Sequence, residues 1–373
     1  MRPRIEKLTI KGFKTIRELK DFDLKPLTIL IGANGAGKSN FISFFKIMAH
    51  VMHEQLGLYV AKYAAGASNL LFDGKRTSPF EGAISINDGE WHNEYFFTLV
   101  FAANDTLVFG KEGYCYSTLN YDSKPLTWAN GAVESNFAKY ANESTPTSAT
   151  DMKAAYKTYQ LIQKIWVRQF HNTSFTSGIR AKSDISKTLY LEDEGANLPA
   201  FLYGLKTRQP QYYQRIVETT RLILPFFYDY VLEPEGQGIL LRWKEKNSDM
   251  LFSANMAADG MLRTMALVAL LLQPEASLPD VLIIDEPELG LHPYAIEILG
   301  GLLKGASKLI QVIIATQSAQ LIDCFEPEDV VVVERKNRES TFTRLSGTKL
   351  EGWLEDYSLS ELWRKNVIGG RPQ

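Results

Sequence analysis

The chain has 373 residues, 45% of them hydrophobic and 23% charged, which suits one large domain or two ordinary ones and excludes a disordered chain. Its formal net charge of −2 gives no global basic field, so charge alone announces neither DNA nor an anionic membrane, although a local patch is enough to bind DNA. Two cysteines without metal-ligand spacing, no apolar signal core at the N-terminus and no run of about 18 apolar residues argue against a disulfide framework, a zinc site and a membrane span, and for a cytoplasmic protein.

In chain order, residues 4–24 alternate in polarity and predict short strands around Gly12, and LTILI (27–31) is a continuous apolar run of the kind buried on both sheet faces. A glycine-rich loop follows, then SNFISFFKIMAHVMH, in which Phe41, Phe44, Phe45, Met48, Val51 and Met52 fall at helical spacing. Residues 82–118 predict antiparallel hairpins, built from GAISIN, EYFFTLVF, TLVF and YCYST. The polar stretch 135–150 predicts a loop, and helical patterns cover 151–166, 196–208 and 210–224, with strand-like YDYVLE and GILLRW after them. From Leu282 the α/β alternation returns as VLIID, a helix after Pro293, LIQVIIAT, VVVVE and TFTRL. The pattern is one α/β core split by a long insertion.

Three motifs carry chemistry. Gly32, Ala33, Asn34, Gly35, Ala36, Gly37, Lys38 and Ser39 fill the P-loop pattern G-x-x-x-x-G-K-[ST], placed between a buried strand and a helix as that pattern requires. Backbone N–H groups there approach phosphates, Lys38 reaches the β- and γ-phosphates, and Ser39 offers a magnesium ligand. In VLIIDEPELGLHP the apolar strand delivers Asp285 to its end, where it can hold magnesium, and Glu286 follows as a general base for the attacking water. Asp259 and Gly260 open the helical run MLRTMALVALLL, a third place where helix N–H groups could meet phosphate.

The order of these motifs resembles the ABC ATPase family, and more narrowly the SMC/RecF/OLD-type AAA family ATPases of bacteria, many of them carried by anti-phage defence operons. The resemblance spans nearly the whole chain, including IEKLTIKGFKTIRELK, IGANGAGKSNF with Asn40, FHNTS, GANLPAFLYGLK, ADGMLR, DEPELGLHPYAIEIL and ELWRKNVIGGRP. It implies that Gly32–Ser39 are Walker A, Asp285 the Walker B aspartate and Glu286 the catalytic glutamate, with ATP and Mg²⁺ as cofactors. Residues Glu288 to Pro293 then match the D-loop, and Asp259 and Gly260 the signature loop that caps the γ-phosphate bound to the other subunit. The magnesium-contacting Q-loop residue falls on Gln169 or His171. Two departures stand out: Ala257 and Ala258 replace the usual Leu-Ser of the signature, and Gln317 replaces the switch histidine. Glutamine can hydrogen-bond a γ-phosphate oxygen but cannot carry a proton as imidazole does, so slow turnover is expected.

The expected fold is α/β, a P-loop NTPase of ABC-head type, whose mixed sheet carries an antiparallel β subdomain and an inserted helical lobe. Residues 1–373 form one bilobed domain: 1–125 and 280–373 hold the nucleotide core and β subdomain, and 126–279 the helical lobe with the signature-like loop. The expected function is an ATP-hydrolysing switch that forms a head-to-head homodimer on ATP and regulates a partner in phage defence or DNA maintenance. An assembly larger than a dimer stays open. A literal SMC reading lacks its coiled coil. An OLD-type nuclease lacks room for its acidic domain after Asp285, so the effector is expected on a separate polypeptide. A nucleotide-dependent scaffold, or a DNA-sensing repair ATPase with little hydrolysis, is the alternative. Lys164, Arg168, Arg180, Lys182 and Lys187 read as a solvated face or, for that alternative, as a phosphate-binding patch.

Overall fold

The structure is a computed structural model that describes residues 2–118, 121–128, 131–143 and 150–371. At its centre lies a six-stranded sheet in the order Glu339–Arg344, Val330–Lys336, Leu27–Ile31, Gln311–Thr316, Val281–Asp285, Ile165–Arg168. All neighbours pair in parallel except the first two, which form an antiparallel hairpin at the edge. Apolar runs such as LTILI and VLIID form these strands because both faces are covered. Leu27, Ile29 and Ile31 join one hydrophobic cluster with the helices Leu198–Arg208, Asp259–Leu271 and Pro293–Ser307. Leu30, Val281 and Ile283 point the other way, into a cluster with the helix Lys38–Met52. Burying each such side chain stabilises the fold by roughly 1.5–3 kcal/mol.

The second cluster continues into a seven-stranded antiparallel sheet built around Arg4–Phe13, Ile16–Asp23, Phe80–Asn87, His92–Ala102 and Thr106–Thr118. The buried Gln311 amide joins the two sheets: its Oε1 accepts from the Ile5 N–H at 2.9 Å, and its Nε2 donates to the Ile5 carbonyl at 2.8 Å. On the opposite side of the core, two small three-stranded sheets accompany the lobe helices.

The mixed α/β architecture agrees with the sequence expectation, and local segments differ. TLVF and YCYST belong to one continuous strand, because its neighbour His92–Ala102 pairs along nearly all of it. Residues 136–142 form a helix where a loop was expected: Ser135 caps it by accepting from the Ala138 N–H at 2.9 Å. Residues 144–149 of that expected loop lie outside the described residues. The helix Thr150–Gln163 ends earlier than its periodicity suggests, and Ile165–Arg168 adds a parallel strand beside Val281–Ile284. The β-branched and aromatic run Ile165, Trp166, Val167 favours that pleated edge. The core sheet therefore takes one strand from the stretch assigned to the lobe, and that strand delivers Gln169.

Candidate functional site

Four segments leave the carboxyl edge of the parallel sheet side by side. Ile31 pairs with Thr316, Ala315 with Asp285, and Ile284 with Arg168. The residues that follow these strands are therefore neighbours: the P-loop, Gln317, Glu286 and Gln169. The crevice outside such strand ends is where open α/β sheets bind ligands.

The P-loop wraps the start of the helix Lys38–Met52. Lys38 is 5% exposed, and its ammonium donates to the carbonyls of Gly32 at 2.6 Å and Ala33 at 3.1 Å. Burial pushes its pKa down, while Glu286, Asp285 and Glu288 pull the other way. Gly37 adopts φ +120°, and a Cβ there would stand 2.1 Å from Ser340 Oγ, so only glycine fits. Ser340 in turn donates to the Ala36 carbonyl at 2.6 Å, and the Ala33 N–H donates to the Gly370 carbonyl at 3.0 Å. Ser39 is exposed on the first turn, while Asn40 turns aside, donating to Thr15 Oγ1 at 2.6 Å. Asn34, Gly35 and Ala36 border a cleft of about 390 Å³ shared with Glu334, Arg338 and Gly370.

Opposite the P-loop, Asp285 is 7% exposed and accepts from Gln169 Nε2 at 2.6 Å; Lys46 donates to Gln169 Oε1 at 2.9 Å. Burial raises the Asp285 pKa, Gln169 lowers it, and the adjacent Glu286 raises it again. His171 lies 3.2 Å from the Asp285 carbonyl rather than its carboxylate, so Gln169 has the side-chain contact of the two. Glu286 holds φ +46°, an uncommon conformation for a non-glycine residue and one that clusters at functional sites. Its Oε1 accepts from the Gln317 side-chain amide. Two adjacent carboxylates in a half-buried edge facing an ammonium suit a triphosphate with a divalent cation, which offsets their mutual repulsion.

The signature-like loop is held by two arginines. Arg180 is 7% exposed and donates to the carbonyls of Thr173 at 2.7 Å, Ala254, and Ala257 at 3.2 Å, and to Asp259 Oδ1 at 2.9 Å. Hydrogen bonding from Thr173, followed by Arg180, holds the Asp259 carboxyl below its usual range. Arg263 reaches the carbonyls of Phe170 at 3.0 Å, His171 at 3.2 Å and Leu289 at 3.2 Å. At Gly260 a Cβ would meet the Gly290 carbonyl at 2.3 Å, so the start of the signature helix and the D-loop segment touch through glycine.

This placement corrects the solvated-face reading for Arg168 and Arg180, while Lys164, Lys182 and Lys187 are exposed as that reading expects. Arg168 and Arg180 are buried, with Asp193 and Asp259 as ion-pair partners. Lys182 and Lys187 pair with Glu235 at 3.4 Å and Glu192 at 2.7 Å. Sequence reasoning missed Thr15, Lys46, Arg180, Arg263, Ser340 and Gly370 as parts of the site. Each acts across a long sequence separation, with no local pattern to mark it.

The parallel sheet, the P-loop at one strand end and the Asp-Glu pair at the end of the next strand but one define an ABC-type P-loop ATPase head. Residues 27–323 match the family model described as "AAA domain, putative AbiEii toxin, Type IV TA system". The chain belongs to this family. No curated protein matches the sequence. Among solved structures, the chain is similar to an Smc head bound to the C-winged helix domain of ScpA, at 15% identity and a TM-score of 0.56, covering 93% of this chain and 99% of that one. It is equally similar to the Smc head domain with an extended coiled coil bound to the C-terminal domain of ScpA from Pyrococcus furiosus, at 15% identity and TM-score 0.56, covering 95% and 99%. At that identity the likeness speaks for the fold. No described helix is long and apolar enough to cross a membrane.

Proposed function

We propose that the chain is a slow, Mg²⁺-dependent ATP hydrolase that dimerises head to head on ATP and regulates a separate effector. The observation that carries this reading is the common sheet edge from which Lys38, Gln317, Asp285 with Glu286, and Gln169 all emerge. Lys38 and the N–H groups of residues 35–39 would take the phosphates, with Asn34 beside them. Ser39, Asp285 and Gln169 would hold Mg²⁺, which would supply neutralisation of the phosphate charge.

The chain's own residues supply the remaining chemistry. Lys38 would exchange the Gly32 and Ala33 carbonyls for phosphate oxygens, whose charge favours the ammonium form against the burial that pulls its pKa down. Glu286 takes the proton of the attacking water as general base. Gln317 orients Glu286 through its amide but cannot accept and return a proton, which favours slow turnover. Asp259 and Gly260 start the helix Asp259–Leu271 and would meet the γ-phosphate of the other copy.

Dimerisation, an effector on another chain, and a role in phage defence or DNA maintenance follow from the resemblance to the SMC/RecF/OLD group. They gain support from the family description and from the partner domain in the similar Smc head complexes. The bilobed division, with 126–279 as the lobe, belongs to the same reading, although Leu126–Trp128 pairs with Thr106–Thr118, the helices Asn136–Asn142 and Thr150–Gln163 pack in the cluster of the antiparallel sheet, and Ile165–Arg168 enters the core sheet. The scaffold alternative is favoured by Ala258, which has no hydroxyl to offer in trans.

Steady-state ATP hydrolysis with and without duplex DNA tests the reading. Lys38→Ala is expected to weaken ATP binding on the order of 100-fold, the loss of one charge-assisted contact. Glu286→Gln is expected to keep binding and lose about 10²–10⁴ in turnover. Equal turnover in wild type and Glu286→Gln would identify the scaffold instead.

A further inference from the structure

Behind the candidate base stands a third carboxyl group. Glu288 Oε1 accepts from the Thr316 hydroxyl at 2.5 Å and from the Gln317 backbone N–H at 3.2 Å. The same Thr316 hydroxyl oxygen accepts from the Ser318 N–H at 2.9 Å, and Ser318 Oγ accepts from the Leu321 N–H at 3.1 Å to cap the short helix Ala319–Ile322. One carboxyl oxygen thus fixes the whole turn that leaves the strand Gln311–Thr316. That turn projects the Gln317 side chain onto Glu286 Oε1. The other oxygen, Oε2, is buried and meets no hydrogen-bond partner among the described residues. A buried carboxylate oxygen without a donor is costly when charged.

We infer that Glu288 is a positioning residue: through Oε1 it anchors the 316–318 turn, so that Gln317 holds Glu286 in place for proton abstraction. This rests on the hydrolysis reading and extends it to a residue whose carboxyl group bonds to Thr316 and to the Gln317 backbone and not to Glu286. Burial pushes the Glu288 pKa up, although the bond from Thr316 opposes it. A second base or a metal ligand would need the carboxylate itself, so an amide in its place separates those roles from this one.

The experiment measures two things in the full chain. The first is amide hydrogen exchange at Gln317 and Ser318 in nucleotide-free protein; the second is ATP turnover. Glu288→Ala removes the acceptor of the Gln317 N–H and releases the Thr316 hydroxyl that accepts from Ser318, so exchange is expected to rise about tenfold at Gln317, the loss of one hydrogen bond, and by less at Ser318. Turnover is expected to fall about 10- to 100-fold, as for a misplaced catalytic group. Glu288→Gln keeps a carbonyl oxygen for both donors and should stay within about threefold of wild type on both readouts. In a Gln317→Ala background, Glu288→Ala should cost no further turnover, since residues acting as one unit are not additive. Should Glu288→Ala not fold, Glu288→Asp, one methylene too short to reach both donors, takes its place. Loss in Glu288→Gln as deep as in Glu288→Ala, additive losses with Gln317→Ala, or unchanged exchange would each overturn the role. Wild-type protein that hydrolyses nothing would overturn the hydrolysis reading and this role together, whereas additive losses on a working wild type overturn only this one.

Discussion

At Gly37 a side chain is excluded twice over. The backbone sits at φ +120°, and the place of a Cβ is taken by Ser340, with Oγ at 2.1 Å and Cβ at 2.8 Å. Gly37→Ala is therefore expected to lower stability by about 1–3 kcal/mol, read from the urea midpoint, and to abolish measurable ATP binding. Adding Ser340→Ala should restore only part of the stability, because it removes the hydroxyl but leaves the Cβ contact and the positive φ. Complete rescue would show that Ser340 alone demands the glycine. The sequence marked Gly37 as a P-loop glycine, yet nothing in it marked Ser340, more than 300 positions away, as its neighbour. Lys38, Ser39, Asp285 and Glu286 were legible as candidates because the motif that marks each lies within one strand-turn unit. Gln169 was legible only as one of a pair with His171, since choosing between them required knowing that Ile165–Arg168 lies beside Val281–Asp285.

At the scale of elements, buried polar groups join pieces that hydrophobic periodicity leaves unrelated. Glu112, in the strand Thr106–Thr118, is 1% exposed and accepts from Tyr95 Oη at 2.7 Å, Ser135 Oγ at 2.5 Å and the Asn136 N–H at 2.8 Å. It thereby pins the start of the helix Asn136–Asn142 to the antiparallel sheet. The polar composition of 135–150 hid that helix, because the partner that satisfies its first N–H groups lies on a strand more than 20 residues earlier. Burial raises the Glu112 pKa, and its hydrogen bonds only partly offset this. A folded pKa above the unfolded value means that the native state holds the proton more tightly. Its stabilising contribution is therefore full below the unfolded glutamate pKa of about 4.3 and is lost as the pH rises through the folded value. Glu112→Gln removes this titration and sets an amide against a donor, costing roughly 1–3 kcal/mol. The stability gap between wild type and Glu112→Gln, from urea melts, should be larger at pH 4 than at pH 7. A gap that widens toward pH 7 would show that Glu112 is instead held charged.

For the whole molecule, the signature-like loop and the D-loop segment meet beside the sheet edge that would carry the ATP chemistry. Arg263 ties the signature helix to Phe170 and His171 on one side and to Leu289 on the other, while Gly260 abuts Gly290. Arg263 therefore bonds the segment just after Gln169 and the D-loop segment to the helix that follows the signature-like loop. Ala258, the residue just before that helix, is exposed and makes no side-chain hydrogen bond, so a serine there leaves the monomer undisturbed. If the loop faces a γ-phosphate held by the opposite P-loop, Ala258→Ser adds a hydroxyl donor at that phosphate. One such bond to a charged group is worth roughly 1.5–3 kcal/mol, about a 10- to 100-fold tighter dimer. In the Glu286→Gln background, which keeps ATP intact, sedimentation with ATP should show the dimer of Ala258→Ser persisting to lower protein concentration. Lys38→Ala should remain monomeric throughout. An Ala258→Ser protein that binds ATP normally yet dimerises no more tightly would place the signature-like loop away from the opposing nucleotide, and the Arg180–Arg263 framework would then serve the lobe's own architecture alone.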